Sequence, residues 1–203
     1  MDFHLINHPL ILSLHNTKQI NNLENSLQLY YQTLVKWNKK INLVSRKEND
    51  HLYHFVDSIN FSCLEQLGGS IVDIGSGGGF PGLVCSILRP DLQFTLFEPV
   101  QKKVAFLHNL ISKLELKNCQ LKPVPFANDC FPEKHWNHAV CRAFTNIKDW
   151  QKLTENRAQT IWYFASEQQQ KKAPRGWESI RSWENHNHGT RYLLRFYPPP
   201  MMS

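Results

Sequence analysis

Asp73, Gly75, Gly77, Gly79 and Gly82 stand in one stretch, VDIGSGGGFPG at residues 72–82, and Glu98 closes a second short run, QFTLFE at residues 93–98. Five of the nine glycines of the chain fall in those eleven residues. Glycine lets a backbone turn tightly and lets a ligand approach it closely, while a carboxylate offers only acceptors. The pattern therefore points to a bound molecule rich in donors, against the plainer reading of a tight strand-to-helix turn with no ligand. Two familiar phosphate loops do not fit. The dinucleotide fingerprint G-x-G-x-x-G/A needs a small residue where Phe80 stands, and G-x-x-x-x-G-K-[ST] needs a lysine where Leu83 stands. What remains is an acid at a strand end, one apolar residue and then G-x-G-x-G. Glu98, one strand later, adds an acceptor pair where a ribose diol would lie.

Strands and helices must alternate to place these residues. SIVDI (70–74) and QFTLFE are β-like, and the glycine loop leads into FPGLVCSIL, apolar throughout and opened by a proline. Residues 102–114 carry Val104, Leu107, Leu110, Ile111 and Leu114 at helical spacing, and CQLKPV reads as a weak third strand. NHAVCRA (137–143), a helix near 147–153 and TIWYFA (160–165) continue the alternation. WESIRSW and RYLLRFY flank the polar turn ENHNHGT as an antiparallel pair. Ahead of all this, Leu23, Leu27, Tyr30, Leu34 and Trp37 mark one amphipathic helix over 22–37. The fold class expected is α/β: a mostly parallel, Rossmann-like sheet with helices on both faces and a C-terminal antiparallel hairpin. An N-terminal helical segment, 1–66, packs on a core, 67–203. EQQQKKAPRG reads as a flexible loop and PPPMMS as a disordered end.

Length and charge bound the partners. A chain of 203 residues buries a full core without disulfides, and five cysteines, scattered and never in a C-x-x-C pair, fit a reducing cytoplasm. No run approaches membrane length and the N-terminus has no basic leader, so a soluble protein is expected. His135, His138 and Cys141 do not share a face, which argues against a metal. The net charge is +6; residues 151–203 carry eight basic against four acidic side chains. Lys36, Lys39, Lys40, Arg46 and Lys47 form a second basic run beside Trp37 and Asn38. Such runs either track phosphates or solvate a helix end. Trp37 lies on the apolar stripe and reads as core. The C-terminal cations Lys171, Lys172, Arg175, Arg181, Arg191 and Arg195 have no acidic neighbour in their own segments and read as phosphate contacts.

The acid, apolar, G-x-G-x-G pattern resembles the first motif of the Rossmann-like class I S-adenosylmethionine-dependent methyltransferases. The resemblance narrows when LVKWNKKINLVS (34–45), HFVDS (54–58), RPDLQFTLFEPVQKKVAFL (89–107) and CRAF (141–144) are read with it. In order and spacing these are similar to the bacterial small-subunit ribosomal RNA guanine-N7 methyltransferases, the glucose-inhibited division B family, over about residues 23–170. The resemblance implies S-adenosyl-L-methionine as cofactor and transfer of its methyl to N7 of a guanine in 16S ribosomal RNA; a methyltransferase acting on another RNA or a small molecule, and a noncatalytic RNA-binding relative that keeps the cofactor fold, are the alternative readings. To the Asp73, Gly77, Gly79 and Glu98 read from the loop and the strand end the resemblance adds Gly75, Phe80, Asn128, Asp129 and Arg142 as residues that hold the cofactor, and it implies small-subunit ribosomal RNA or a ribosomal particle as partner; a monomer is expected. Arg142 either pairs structurally with Asp73 or Asp129 or serves the ligand, and its place at a strand end favours the ligand. No acid/base residue is assigned, since N7 has a free lone pair and carries no proton. The chain departs from the family at Ser166 and Glu167, where a lysine and a glycine are usual, at Ala127, where an arginine is usual, and at Cys130, where an acid is usual.

Overall fold

The computed structural model describes residues 9–45, 51–126, 136–142, 144–185 and 189–199. Its elements in chain order are α1 (Pro9–Leu14), α2 (Thr17–Asn38), α3 (Leu52–Ser62), β1 (Ser70–Ile74), α4 (Gly82–Leu88), β2 (Gln93–Phe97), α5 (Gln101–Lys113), β3 (Cys119–Lys122), β4 (Trp136–Cys141), α6 (Ile147–Thr154), β5 (Ala158–Ser166), α7 (Glu167–Lys171), β6 (Glu178–Asn185) and β7 (Gly189–Phe196). The strands form one seven-stranded sheet in the order β3-β2-β1-β4-β5-β7-β6. β1 to β5 pair parallel, and β7 joins β5 antiparallel with β6 outside it, the hairpin the sequence implies. The order reverses beside β1, whose C-terminal end is where open α/β sheets bind ligands.

Alternation along the strands divides the core. Ile71, Phe94, Val140, Trp162 and Leu193 pack with Cys85 of α4 and Phe61 of α3. Val72, Ile74, Phe97, Ala139, Cys141 and Tyr163 pack with Trp150 of α6. A third cluster joins Ile11, Leu23, Leu27, Tyr30, Leu34 and Phe55 from the first three helices to Phe80, Leu83, Phe106 and Leu107. The N-terminal segment is thereby packed directly over the end of the glycine loop.

Local chemistry sets the helix ends. Asn16 and Gln19 cap α2 reciprocally, Asn16 Oδ1 accepting the Gln19 amide at 3.0 Å and Gln19 Oε1 the Asn16 amide at 2.8 Å. At the other end Asn38 is buried, and its Oδ1 accepts the amides of Leu43 and Val44 at 2.9 and 3.1 Å. It is a backbone staple for the following loop, not a group presented to RNA. Trp37 packs beside Phe106, as its place on the stripe suggests.

Three elements differ from expectation. α1 and α3 go unmarked by periodicity, because α3 buries residues around most of its circumference, polar ones included. The segment 167–176, read as a flexible loop, begins with α7, whose Ser166 and Gln169 form a second capping box. The turn residues His186 and His188, and PPPMMS beyond Pro199, lie outside the described residues.

Candidate functional site

The glycine loop leaves β1 through a backbone fastened on both sides. Asp73 is fully buried; its Oδ2 accepts the Gly82 amide at 3.0 Å, and its Oδ1 has no hydrogen-bond partner among the described residues. Burial raises its pKa to about 7, the Gly82 bond opposing the shift. Glu98, 3% exposed, takes the Gly77 amide on Oε2 at 2.8 Å and the Val100 amide on Oε1 at 2.9 Å. Both acids shape the loop from beneath: Asp73 ties its far end to α4, and Glu98 ties its middle to β2. Asp73 thus accepts from a loop amide, and neither carboxylate lines the cavity above.

Gly77 has φ of +57°, and a Cβ there would meet only its own loop's Gly75 carbonyl at 3.7 Å. Its freedom serves the backbone and the open space over it. Gly79, with φ of +90°, serves packing, since a Cβ there would overlap the Tyr30 hydroxyl. Gly75 is covered by the Phe144 ring.

Tyr30 donates its hydroxyl to the Gly78 carbonyl at 2.5 Å. Its ring stacks on Phe80 at 5.5 Å and 13°, and His54 stacks on Phe80 at 4.9 Å and 21°. Phe80, the bulky residue at the loop end, is thus clamped between α2 and α3. Burial, then the nearby Asp73, raises the Tyr30 pKa well above its ordinary value, so the phenol remains a donor.

Over the loop opens a cavity of about 460 Å³, lined by Gly75, Ser76, Gly77, Gly78 and Phe80 and walled by Asn42 to Ser45, Tyr53, His54, Lys103, Arg142 and Arg191. Arg142 does reach the site. Among the described residues its partner is Asp57 of α3, not Asp73: Nε donates to Asp57 Oδ2 at 3.0 Å, Nη1 meets His54 Nδ1, and the guanidinium lies 5.1 Å from the Tyr53 ring centre. Asp57, fully buried, also takes the Trp183 indole N–H at 2.9 Å and faces Arg191 Nε at 3.6 Å. Burial lowers the Arg191 pKa and Asp57 opposes the shift. One buried acid thereby balances two guanidiniums and leaves the wall positive, suited to anionic ligand groups.

Of the residues expected in the site, Gly75, Gly77, Phe80 and Arg142 line the cavity, and Asp73, Gly79 and Glu98 support its floor from below. Asn128 and Asp129, with Ala127 and Cys130, lie outside the described residues. Asn42, Tyr53, His54, Lys103 and Arg191 line it without having been picked as cofactor ligands, although three of them fall within the quoted motifs. The C-terminal cations are not without acidic complement: Lys171 pairs with Glu167 at 2.6 Å, Arg195 with Glu178 at 2.7 Å and Arg191 with Asp57, while Arg181 donates to the Asn60 and Cys63 carbonyls. Ser166 and Glu167 are likewise spent on α7, as its cap and its ion pair. His138 is a buried strand residue whose pKa burial lowers to about 4; its Nε2 faces the Gly68 amide and its Nδ1 the Trp162 indole, each at 3.2 Å, and the neutral ring accepts from one of the two. No group of three or more metal-binding side chains occurs among the described residues, and no helix there is long and apolar enough to cross a membrane.

Comparison with known proteins agrees with this architecture. A protein called Ribosomal RNA small subunit methyltransferase G from Clostridium botulinum (strain ATCC 19397 / Type A) is 36% identical over 130 residues, covering 61% of this chain and 54% of the relative. A protein of the same name from Chromobacterium violaceum is 35% identical over 133 residues, covering 64% and 63%. The chain thus spans between half and two thirds of these curated relatives. Among solved structures, precorrin-6y C5,15-methyltransferase from Geobacter metallireducens GS-15 superposes with a TM-score of 0.53 at 14% identity, covering 77% of this chain and 92% of that one. The human methyltransferase 10 domain containing protein does so with 0.54 at 10% identity, covering 87% and 97%. These likenesses give the fold, a class I Rossmann-like methyltransferase sheet. The family model for GidB, rRNA small subunit methyltransferase G, matches residues 23–180, which takes in the loop, Glu98, Asp57 and Arg142, and the chain belongs to that family.

Proposed function

We propose that the chain is an S-adenosylmethionine-dependent methyltransferase acting, as a monomer in the bacterial cytoplasm, on N7 of a guanine in small-subunit (16S) ribosomal RNA. The observation that carries this is the glycine loop in a member of this family: amides pinned by Glu98, open space over Gly77, and a basic cavity directly above. The cradle fits the cofactor. Gly75, Gly77 and Phe80 would hold it, with Arg142 available to a carboxylate and Asn128 and Asp129 contributing on the family's pattern. Bound there, S-adenosylmethionine would supply a methyl group activated by its sulfonium.

The protein's own part is alignment. Guanine N7 has a lone pair and no proton, so no side chain need act as a base. Asp73 is sealed under the loop and Glu98 is committed to two amides, in keeping with that. Holding nucleophile and methyl in line removes much of the entropic barrier, and a loop fixed by Glu98, Tyr30 and Asp73 suits that task. The cationic wall of Arg142, Arg191 and Lys103 would hold the negative backbone of the RNA near the opening.

Nucleoside mass spectrometry on small-subunit RNA from cells with and without the gene tests this reading. A 7-methylguanosine lost with the gene and restored by the wild-type chain is expected. An unchanged nucleoside profile, with purified chain inactive on small subunits and on naked RNA, would refute it.

A further inference from the structure

The segment leaving β4 carries Phe144, 45% exposed. One side of its ring covers Gly75, and its flank meets Trp150 edge-on at 6.5 Å and 76°. Trp150 is itself immobilised, fully buried with its indole N–H on the Trp162 carbonyl at 3.0 Å. A large apolar ring is therefore held by the cofactor loop on one side and a core indole on another, with nearly half its surface left open beside Gly75, which lines the cavity.

From Phe144 the chain runs directly into a second cleft, of about 390 Å³, lined by Asn146, Lys148, Tyr163, Gln168, Gln169 and Lys172. Its floor is rigid: the Tyr163 hydroxyl donates to the Thr145 carbonyl at 2.9 Å and accepts from Gln169 Nε2 at 3.3 Å. The acids nearby are occupied, Asp149 by Asn146 Nδ2 at 2.6 Å and Glu167 by Lys171 at 2.6 Å. Lys148 and Lys172 make no ion pair among the described residues. An aromatic face beside a methyl-donor loop, followed by a cleft with two uncommitted cations and side-chain amides, matches a nucleotide strand: a flat base, then a phosphate.

We propose that Phe144 is the platform on which the target purine stacks, and that the cleft between α6 and α7 seats a neighbouring phosphate of the same RNA strand through Lys148 and Lys172. This rests on the methyl-transfer reading above and names the substrate's seat within it.

The test uses the full chain with small-subunit RNA from cells lacking the gene, and follows methyl transfer, RNA affinity and S-adenosylmethionine affinity separately. Phe144→Leu keeps bulk over Gly75 and removes the flat π face. It should lower kcat/KM for RNA roughly five- to a hundredfold with cofactor affinity unchanged, and Phe144→Tyr should recover most of the loss. Lys148→Ala with Lys172→Ala should raise KM for RNA and, with the one phosphate seat lost, reduce the slope of log affinity against log salt by about 0.7 to 0.9. Wild-type kcat/KM in a folded Phe144→Leu variant, or a wild-type salt slope in the double variant, overturns the proposal. If wild type binds the RNA and transfers no methyl, the enzymatic reading fails and the seat is still judged by the RNA affinities. If wild type binds neither RNA nor oligonucleotide, both fall.

Discussion

Replacing Tyr30 with Phe removes one oxygen from a place where it has a single task. The hydroxyl donates to the Gly78 carbonyl at 2.5 Å inside a fully buried site, while the ring, which Phe retains, continues to stack on Phe80. The change therefore isolates the hydrogen bond. Leaving a buried carbonyl unsatisfied costs about 1 to 3 kcal/mol. For a chain of this size that corresponds to a fall of roughly 3 to 10 °C in Tm. Because a Cβ at Gly79 would overlap the same hydroxyl, the two positions are coupled. Gly79→Ala should destabilise strongly in wild type, through steric overlap and positive φ. In the Tyr30→Phe background the worst overlap is gone, leaving the φ strain and the tight contacts with Leu83 and Leu107, so the double variant should be more stable than the two single losses predict, by about 1 kcal/mol or more. Urea unfolding of the four proteins measures this directly. Equal midpoints for Tyr30→Phe and wild type, or strict additivity in the cycle, would show that α2 does not hold the loop.

Three further outcomes follow from the same site. Gly77→Val places a branched side chain at φ of +57° over the open cradle, and should abolish S-adenosylmethionine binding in calorimetry while the circular dichroism spectrum stays native; retained affinity in a folded variant would refute the cradle. Asp73 has its folded pKa raised to about 7, above the ordinary carboxylate value, so the fold holds a proton the unfolded chain gives up. Its contribution to stability is complete below about pH 4 and is lost as pH rises toward 7; Asp73→Asn should flatten that fall in denaturant midpoints taken from pH 4 to 8, and an unchanged profile would exclude Asp73 as its source. Asp57→Ala strips two partly buried guanidiniums and the Trp183 indole of their shared, fully buried partner and should destabilise by about 1 to 3 kcal/mol, read from the same kind of unfolding curve; a midpoint equal to wild type would show the clasp to be superficial.

Legibility in the sequence followed locality. The strand ends Asp73 and Glu98, the glycine loop and the stripe of α2 are short-range patterns, and each lies where periodicity and spacing put it. The C-terminal hairpin was equally plain from its alternation. α3 escaped because the period-3.6 reading looks for a polar face, and this helix buries His54, Asp57, Ser58 and Ser62 with its apolar residues. α7 was readable in principle, since Ser166 and Gln169 have capping-box spacing, but the run of glutamines and lysines masked it. Arg142's partner could not be read at all: Asp57 stands 85 residues away, and no local signal joins them. The supposed isolation of Arg195 failed for the same reason, since Glu178 faces it only through the register of β6 on β7.

The Asp57 clasp also orders events in time. Asp57 and Arg142 precede β7 in the chain, so until β7 is made Asp57 has only one of its two cations available to it. Arg191 and the Trp183 indole arrive last, and with them the antiparallel strand that covers β5. Synthesis of the β6–β7 hairpin is therefore the step that supplies Arg191 to the wall, and any ligand that needs Arg191 meets a competent surface only once β7 has been made and paired with β5.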